Sequence, residues 1–168
     1  MIMRKKVIFR IAVLAAALLF SYNAHAQLIL GGNIGLSVAG DNRVGINIAP
    51  EVGYAINPYF TMGGLISYQS LYNTFGITPY VRTTPVSIKD IVRLHLSLTA
   101  PMRFAGSYQS YQLDVRPGIS VRISGNVWIM AHIGAFGYEW VRNGAASSSG
   151  WIARVNGDTI NIGFCIGL

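Results

Sequence analysis

The sequence has few charged residues, a single cysteine and, after residue 20, no long hydrophobic run. Charged residues make up 11% of the 168 residues, whereas hydrophobic residues make up 52%. One cysteine, Cys165, excludes an internal disulfide. A membrane-spanning helix needs about 20 apolar residues, so the chain predicts no such helix. An apolar chain of this kind either crosses a membrane as a closed β-barrel or packs its apolar residues inside a soluble fold.

The first 26 residues are expected to be a cleaved secretory signal peptide. Four basic residues come first, an apolar run follows at Ile11–Phe20, and the small-residue motif AHA ends the segment at residues 24–26. This order is typical of an exported protein, and the apolar run is too short for a membrane anchor. We therefore expect cleavage after Ala26 and one domain over residues 27–168.

The basic balance of the chain does not indicate a nucleic-acid partner. The formal net charge is +7, but four of the 13 lysines and arginines lie in the predicted signal peptide, and all 6 acids lie beyond it. The other basic residues are spread along the chain instead of forming one patch. No phosphate-binding loop, dinucleotide-binding glycine motif or zinc-binding motif occurs. The sequence thus predicts no nucleic-acid partner, no cofactor and no metal site.

Residues 27–168 alternate between apolar and polar side chains in eight successive runs. In VRLHLSLT, residues 92–99, and in TINIGFCIGL, residues 159–168, every second side chain is apolar. A period of two predicts a β-strand with one apolar face. Most runs have about 10 to 15 residues, as in membrane strands, which need about 9–11, whereas strands in soluble sheets average about 5–6. The predicted fold is all-β, an eight-stranded antiparallel up-and-down transmembrane β-barrel.

The breaks between the runs are expected to alternate between the two ends of this barrel. Three breaks are assigned to the periplasmic end: 57–58, 85–90 and 124–126. Four are assigned to the extracellular end: 39–43, 70–75, 105–109 and 142–156. The last contains the polar stretch RNGAASSSG and is predicted to be the longest surface loop. Aromatic residues near both sets of breaks are expected to form interfacial belts.

The charged residues on the polar face of the predicted strands are expected to point into the barrel. The lumen of an eight-stranded barrel is just wide enough for side chains, and buried charges need partners. The sequence therefore predicts an interior salt-bridge network in preference to a gated ion pathway. Its members are Glu51, Arg82, Arg93, Arg103, Asp114, Arg116, Arg122 and Glu139, with His95 on the same parity.

Two features fit this barrel less simply. Prolines lack the backbone N–H of a strand ladder, and four lie inside predicted strands: Pro50, Pro79, Pro101 and Pro117. In the seventh run, residues 127–141, the apolar parity predicts an outward-facing row: Trp128, Met130, His132, Phe136 and Tyr138. Glu139 then points inward.

In combination, these features resemble the small bacterial outer-membrane β-barrels of the OmpA/OmpX type. In the last run, Gly163, Ile166 and Leu168 are similar to the glycine and spaced hydrophobics that the barrel-assembly machinery reads. Leu168 stands where Phe or Trp is usual, and Ile162 where a polar residue is common. The resemblance implies an outer-membrane location, assembly by that machinery and contact with membrane lipid and lipopolysaccharide. It also implies a structural or surface-interaction role without catalysis.

Two other functions remain open. A soluble periplasmic barrel would bind a lipid or small apolar ligand if the apolar parity faced the lumen. Alternatively, His95 and Ser97, with Asp114 on the next run, are similar to the His-x-Ser pair and acid of outer-membrane lipid A deacylases. A base beside a hydroxyl nucleophile is the arrangement for ester hydrolysis. In that family the site faces lipid, whereas this pair lies on the inward parity.

Overall fold

The structure, a computed structural model, describes residues 27–38, 43–155 and 160–168. The predicted signal peptide and most of the predicted break at 39–43 lie outside the described residues. Among these residues, no helix is long and apolar enough to cross a membrane. The described chain forms strands: β1 (Gln27–Val38), β2 (Val44–Asn57), β3 (Phe60–Gln69), β4 (Thr74–Ile88), β5 (Val92–Thr99), β6 (Met102–Ala105), β7 (Tyr108–Ser124), β8 (Val127–Ile133), β9 (Ala135–Asn143), β10 (Ala146–Arg154) and β11 (Ile160–Gly167).

Eight of these strands close into an antiparallel barrel, as the alternating pattern predicts. Around the ring the order is β1, β2, β3, β4, β5, β7, β8 and β11, and β11 pairs again with β1. The remaining strands extend the wall at one end. β6 lies between β4 and β7, β9 pairs with β7, and β10 pairs with β9. Two of the eight predicted runs, the fifth and the seventh, are therefore each divided into two strands, and β10 lies in the predicted break at 142–156.

Proline explains one of these interruptions. β5 and β6 are separated only by Ala100 and Pro101, and Thr99 and Met102, on either side of them, continue one register against β4. Backbone hydrogen bonds bridge the interruption, because Ala100 N donates to Pro79 O at 3.0 Å and Gln112 N donates to Pro101 O at 2.9 Å. Three other prolines stay inside strands without breaking them: Pro50, Pro79 and Pro117.

The barrel wall is apolar outside and polar inside. Every long strand exposes large aliphatic or aromatic side chains on its outward face. The buried side chains are mostly polar or charged: Glu51, Arg82, His95, Ser97, Thr99, Ser110, Gln112, Asp114, Ser120, His132 and Glu139. Few large apolar side chains are buried, and one small cluster joins Trp128, Met130 and Cys165.

The prediction for the seventh run is wrong in its first half. Trp128, Met130 and His132 are buried in the lumen, and Ile129 and Ile133 face outward instead. The facing changes at Gly134, where the chain contains one extra residue relative to β7. His132 pairs with Gly118 but Phe136 pairs with Val115, so four steps on one strand match three on the other. Beyond this bulge, Phe136 faces outward and Glu139 inward, as predicted.

Gly134 provides a direct test of this bulge. Its φ of +86° lies in the left-handed region, and an added Cβ would lie 2.8 Å from Arg154 O. We expect Gly134→Ala to lower the free energy of unfolding by about 1–3 kcal/mol, because alanine would be held in a left-handed conformation that is unfavourable for a residue with a Cβ. The measurement is urea unfolding in detergent micelles, followed by tryptophan fluorescence.

The matched control is Gly64→Ala, on β3. An added Cβ there meets only Thr78 O, at 3.8 Å, so its effect should stay within about 1 kcal/mol. Equal effects of the two substitutions would contradict the assignment of strain to Gly134.

The predicted loop at 142–156 is also wrong. β9 continues to Asn143 and β10 begins at Ala146, so only the turn residues Gly144 and Ala145 separate them. The polar residues of this stretch therefore belong to a strand. The strand was not predicted because its small polar side chains show no apolar alternation. Its pairing is nevertheless regular, with Ser149 opposite Trp140 in an antiparallel register.

Candidate functional site

A chamber of about 670 Å³, lined by both polar and apolar side chains, lies in the lumen. Its lining residues reach the barrel end that carries the turns at 70–73, 106–107 and 144–145, here called the chamber end. The polar and charged lining comprises Asn33, Asn47, Glu51, Ser67, Gln69, Thr74, Thr78, Arg82, Ser97, Thr99, Arg103, Gln112, Arg116, His132 and Arg154, together with Tyr72, Tyr80 and Tyr108. The apolar lining comprises Ile34, Ala49, Leu65, Ala105, Ala135 and Ile162. The other end, with turns at 58–59, 89–91 and 125–126, is here called the packed end.

The floor of the chamber is a buried cluster around Arg82. Its Nη2 donates to Glu51 Oε1 at 3.0 Å, and its Nε donates to Ser97 Oγ at 3.3 Å. A third bond runs from Nη1 to the sulfur of Met130 at 3.2 Å. Glu51 also accepts a hydrogen bond from the Tyr80 hydroxyl. The strand alternation of β2, β4 and β5 brings these side chains to one depth, so that the carboxylate neutralises the guanidinium.

A second ion pair lies on β7 itself. Arg116 donates to both carboxylate oxygens of Asp114, from Nε at 2.8 Å and from Nη2 at 2.9 Å. Residues two apart on a strand share a face, which explains the pairing. Thr99, opposite Asp114 on β5, adds a hydroxyl donor. Bidentate pairing of this kind holds both planes in a fixed orientation.

The third ion pair joins β9 and β10. Glu139 accepts hydrogen bonds from Ser110 at 3.0 Å and from Gln112, and its second oxygen pairs with Arg154. Sequence analysis did not identify Arg154, because residues 142–156 were assigned to a loop. If that stretch is interpreted as a strand, it lies beside the strand of Glu139. The inward-facing carboxylate of Glu139 then indicates a basic partner on it.

Two histidines meet between the chamber and the packed end. His95 Nε2 lies 3.3 Å from His132 Nε2, and His95 Nδ1 lies 3.0 Å from Ser120 Oγ. Both ring nitrogens of His95 are thus engaged by groups other than Ser97 and Asp114. Ser97 binds Arg82, and Asp114 binds Thr99 and Arg116. Among the described residues, the arrangement of base, hydroxyl and acid that the deacylase alternative needs is not assembled.

The packed end is filled by a tryptophan between two arginines. The guanidinium carbons of Arg93 and Arg122 lie 4.0 Å and 4.7 Å from the centre of the Trp128 ring. Cation–π contacts of this kind stabilise the charges of both guanidinium groups. The Arg122 Nε is buried without a hydrogen-bond partner in the described part of the chain.

The eight predicted interior residues therefore do not form one network. Three ion pairs are separate: Glu51–Arg82, Asp114–Arg116 and Glu139–Arg154. Arg93 and Arg122 stack on Trp128 instead. Arg103 lines the chamber and has no carboxylate within ion-pair distance in the described residues.

The three residues of the predicted assembly signal lie in or just after β11. Gly163 pairs with Asn33 of β1 and Met130 of β8, and Ile166 faces outward. Leu168 is exposed, while its backbone N donates to Leu28 O at 2.8 Å. These residues therefore stand at the join that closes the ring.

The described residues contain no group of three or more His, Cys, Asp or Glu side chains that could hold a metal ion. Cys165 is buried as a free thiol beside Trp128. The chemistry of the lumen is thus that of paired charges and hydrogen bonds around the chamber. No protein-family model matches the sequence, and no curated protein matches it either.

Proposed function

We propose that this protein is an integral outer-membrane β-barrel with a structural or surface-interaction role and no catalytic activity. The observation that carries the proposal is the apolar outer wall. Its outward side chains include Leu30, Ile46, Val52, Ile66, Val81, Leu96, Leu113, Ile129, Phe136 and Phe164, all of them exposed. Soluble monomers rarely expose a continuous apolar surface of this extent, whereas a bilayer is a suitable solvent for it.

Strand length supports the same proposal. β2, β4 and β7 contain 14, 15 and 17 residues, and a tilted strand needs about 9–11 to cross the hydrocarbon core. Exposed aromatic residues lie near both ends of the wall. Tyr59 and Phe60 stand at the packed end, and Tyr68, Tyr72 and Trp140 toward the chamber end. Amphipathic rings are favoured at the level of the lipid headgroups.

The soluble alternative is less consistent with the lumen. A barrel that binds a lipid or small apolar ligand inside needs an apolar cavity. Here the cavity wall carries Arg82, Arg103, Arg116 and Arg154, and the apolar face of the strands lies on the outside of the barrel. The deacylase alternative is less consistent still, because His95 and Asp114 have other partners.

The outer-membrane location and the partners rest on the sequence. The predicted signal peptide supports export, and the resemblance to OmpA/OmpX-type barrels supports contact with lipopolysaccharide and assembly by the barrel-assembly machinery. The β9–β10 hairpin, with exposed Arg142 and three exposed serines at 147–149, is the segment we propose to meet lipopolysaccharide or another surface.

We expect the protein to change its gel mobility on heating. Closed membrane barrels keep their hydrogen-bonded wall in SDS until they are boiled, since every strand edge is paired. Unboiled protein from the detergent-extracted outer-membrane fraction should therefore migrate differently from boiled protein. The measurement is electrophoresis in SDS of both samples, with immunodetection.

The control is the chain without residues 160–168. β11 pairs with both β1 and β8, so its loss leaves the ring open and should abolish the heat-dependent shift. Release of the full-length protein by osmotic shock, with one mobility before and after boiling, would overturn the membrane proposal and favour a soluble barrel.

A further inference from the structure

We propose that the chamber binds a small hydrophilic oxyanion, such as a carboxylate or phosphate compound, and that Arg103 is its principal ligand. Arg103 lies on β6, where it pairs with Gly76 of β4 and Ser110 of β7. Its side chain lines the chamber. The site is therefore inside the barrel, near the chamber end.

The distribution of charge carries this inference. Each buried acid of the lumen already has an arginine: Arg82 for Glu51, Arg116 for Asp114 and Arg154 for Glu139. Arg103 is left as a positive charge without a carboxylate of its own in the described part of the chain. Arg116 and Arg154 are close enough to repel it, whereas Tyr108 and Glu139, the latter already paired with Arg154, attract it. An anion from solution would supply the missing charge.

Gly76 allows the stem of Arg103 to lie close to β4. An added Cβ at Gly76 would clash with Ser67 Oγ and lie 3.7 Å from the Arg103 Cγ. The space beside Gly76 is therefore already occupied, and the room for an anion is the chamber that Arg103 and Ser67 line. The guanidinium plane matches a carboxylate or phosphate with two parallel hydrogen bonds.

The chamber also limits the kind of ligand. Its volume of about 670 Å³ lies in the usual range for small-molecule sites. Amide and hydroxyl groups of Asn47, Ser67, Thr74 and Thr78 line it, so a hydrated or hydroxylated compound fits better than an acyl chain. The floor formed by Glu51 and Arg82 and the stacked Trp128 beyond it lie across the lumen.

Binding of inorganic phosphate and citrate to the purified barrel tests the proposal. Isothermal titration calorimetry in a non-ionic detergent at low salt should show saturable binding of at least one of these anions, and none of glucose, which is neutral. Arg103→Gln should weaken this binding about 10- to 100-fold, the value of a charge-assisted hydrogen bond pair. Arg103→Lys keeps the charge but loses the planar guanidinium group. Its affinity for the anion should lie between that of the wild-type protein and that of Arg103→Gln.

Lys89→Gln is the matched control, since it removes one positive charge from the exposed turn at 89–91, at the packed end. It should change binding by less than about twofold. Equal loss of binding in Lys89→Gln and Arg103→Gln would overturn the site and indicate only general attraction of anions. No binding of either anion to the heat-modifiable wild-type barrel would overturn it as well.

A second measurement does not depend on the folding of a variant. Phenylglyoxal modifies accessible arginine side chains, and mass spectrometry reports which ones react. In the wild-type barrel, Arg103 should react without anion and be protected by saturating citrate or phosphate, whereas Arg142 should react equally in both conditions. Unchanged labelling of Arg103 at anion concentrations that saturate the calorimetric signal would assign the binding to another place.

Discussion

Replacing Glu51 with glutamine is expected to lower the free energy of unfolding of the barrel by about 3–5 kcal/mol, because it leaves a buried charge without its partner. The side chains of Arg82 and Glu51 are only 8% and 1% exposed, and their ion pair spans 3.0 Å. The amide keeps the shape of the carboxylate and still accepts a hydrogen bond from Tyr80. The loss is therefore that of charge neutralisation at the chamber floor. The measurement is urea unfolding of the protein in lipid vesicles.

Two controls sharpen this prediction. Asp90→Asn removes the same charge at an exposed turn, where Asp90 accepts a hydrogen bond from Ser87 Oγ at 3.3 Å, and should change stability by no more than about 0.5 kcal/mol. Arg82→Met in the Glu51→Gln background removes the unpaired charge and should recover part of the lost stability. A cost below about 1 kcal/mol for Glu51→Gln would mean that chamber water solvates Arg82 as well as the carboxylate does.

An arginine at position 81 is expected to destabilise the barrel in a bilayer by about 2–4 kcal/mol, the cost of a charge at the midplane of the lipid-facing wall. Val81 is the central residue of β4 and is 47% exposed on the outward face. Its neighbours across the sheet, Met62 and Leu98, are also exposed and apolar. The new guanidinium would therefore have no polar group of the wall beside it. Equilibrium unfolding in lipid vesicles measures the effect.

Ile88→Arg is the matched variant for Val81→Arg. Ile88 is the last residue of β4 and is 52% exposed, so its charge would reach the headgroup level and cost about 0–1 kcal/mol. A dependence on depth is what distinguishes lipid from water. If both variants changed stability by less than about 0.5 kcal/mol, the wall would be in contact with water, and the membrane proposal would fail.

The alternation of residues was enough to predict the barrel, because burial on one face imposes a period of two on every strand. It predicted eight antiparallel strands and the inward side chains of β2, β4, β5 and β7. It did not predict the facing of Trp128 and His132, since one extra residue at Gly134 inverts the two faces of that run. A single bulge leaves no compositional mark, and apolar Ile129 and Ile133 fit the outward face as well as Trp128 and Met130.

The pairing of the interior charges was less accessible to sequence reasoning. The alternation along a strand shows which charged residues point inward. The partner of each one depends on the register between strands that are distant in sequence. Asp114 and Arg116 are two residues apart and their pairing could be read directly, whereas Glu51 and Arg82 meet only across β3. Arg154 was missed because the serines before it suggested a loop. The chamber itself follows from the small and polar side chains left between these pairs.

The closure of the ring by β11 has a consequence for the rate of folding. β11 pairs with β8 at residues 160 and 133 and with β1 at residues 167 and 29. The β1–β11 pairing therefore joins the two extremes of the described chain. Closing so large a loop carries the greatest entropic cost of any pairing in the molecule, and folding dominated by such distant contacts is slow. Until β1 and β11 pair, each of them presents an unpaired strand edge, and the apolar wall and its open edges are exposed together to other chains.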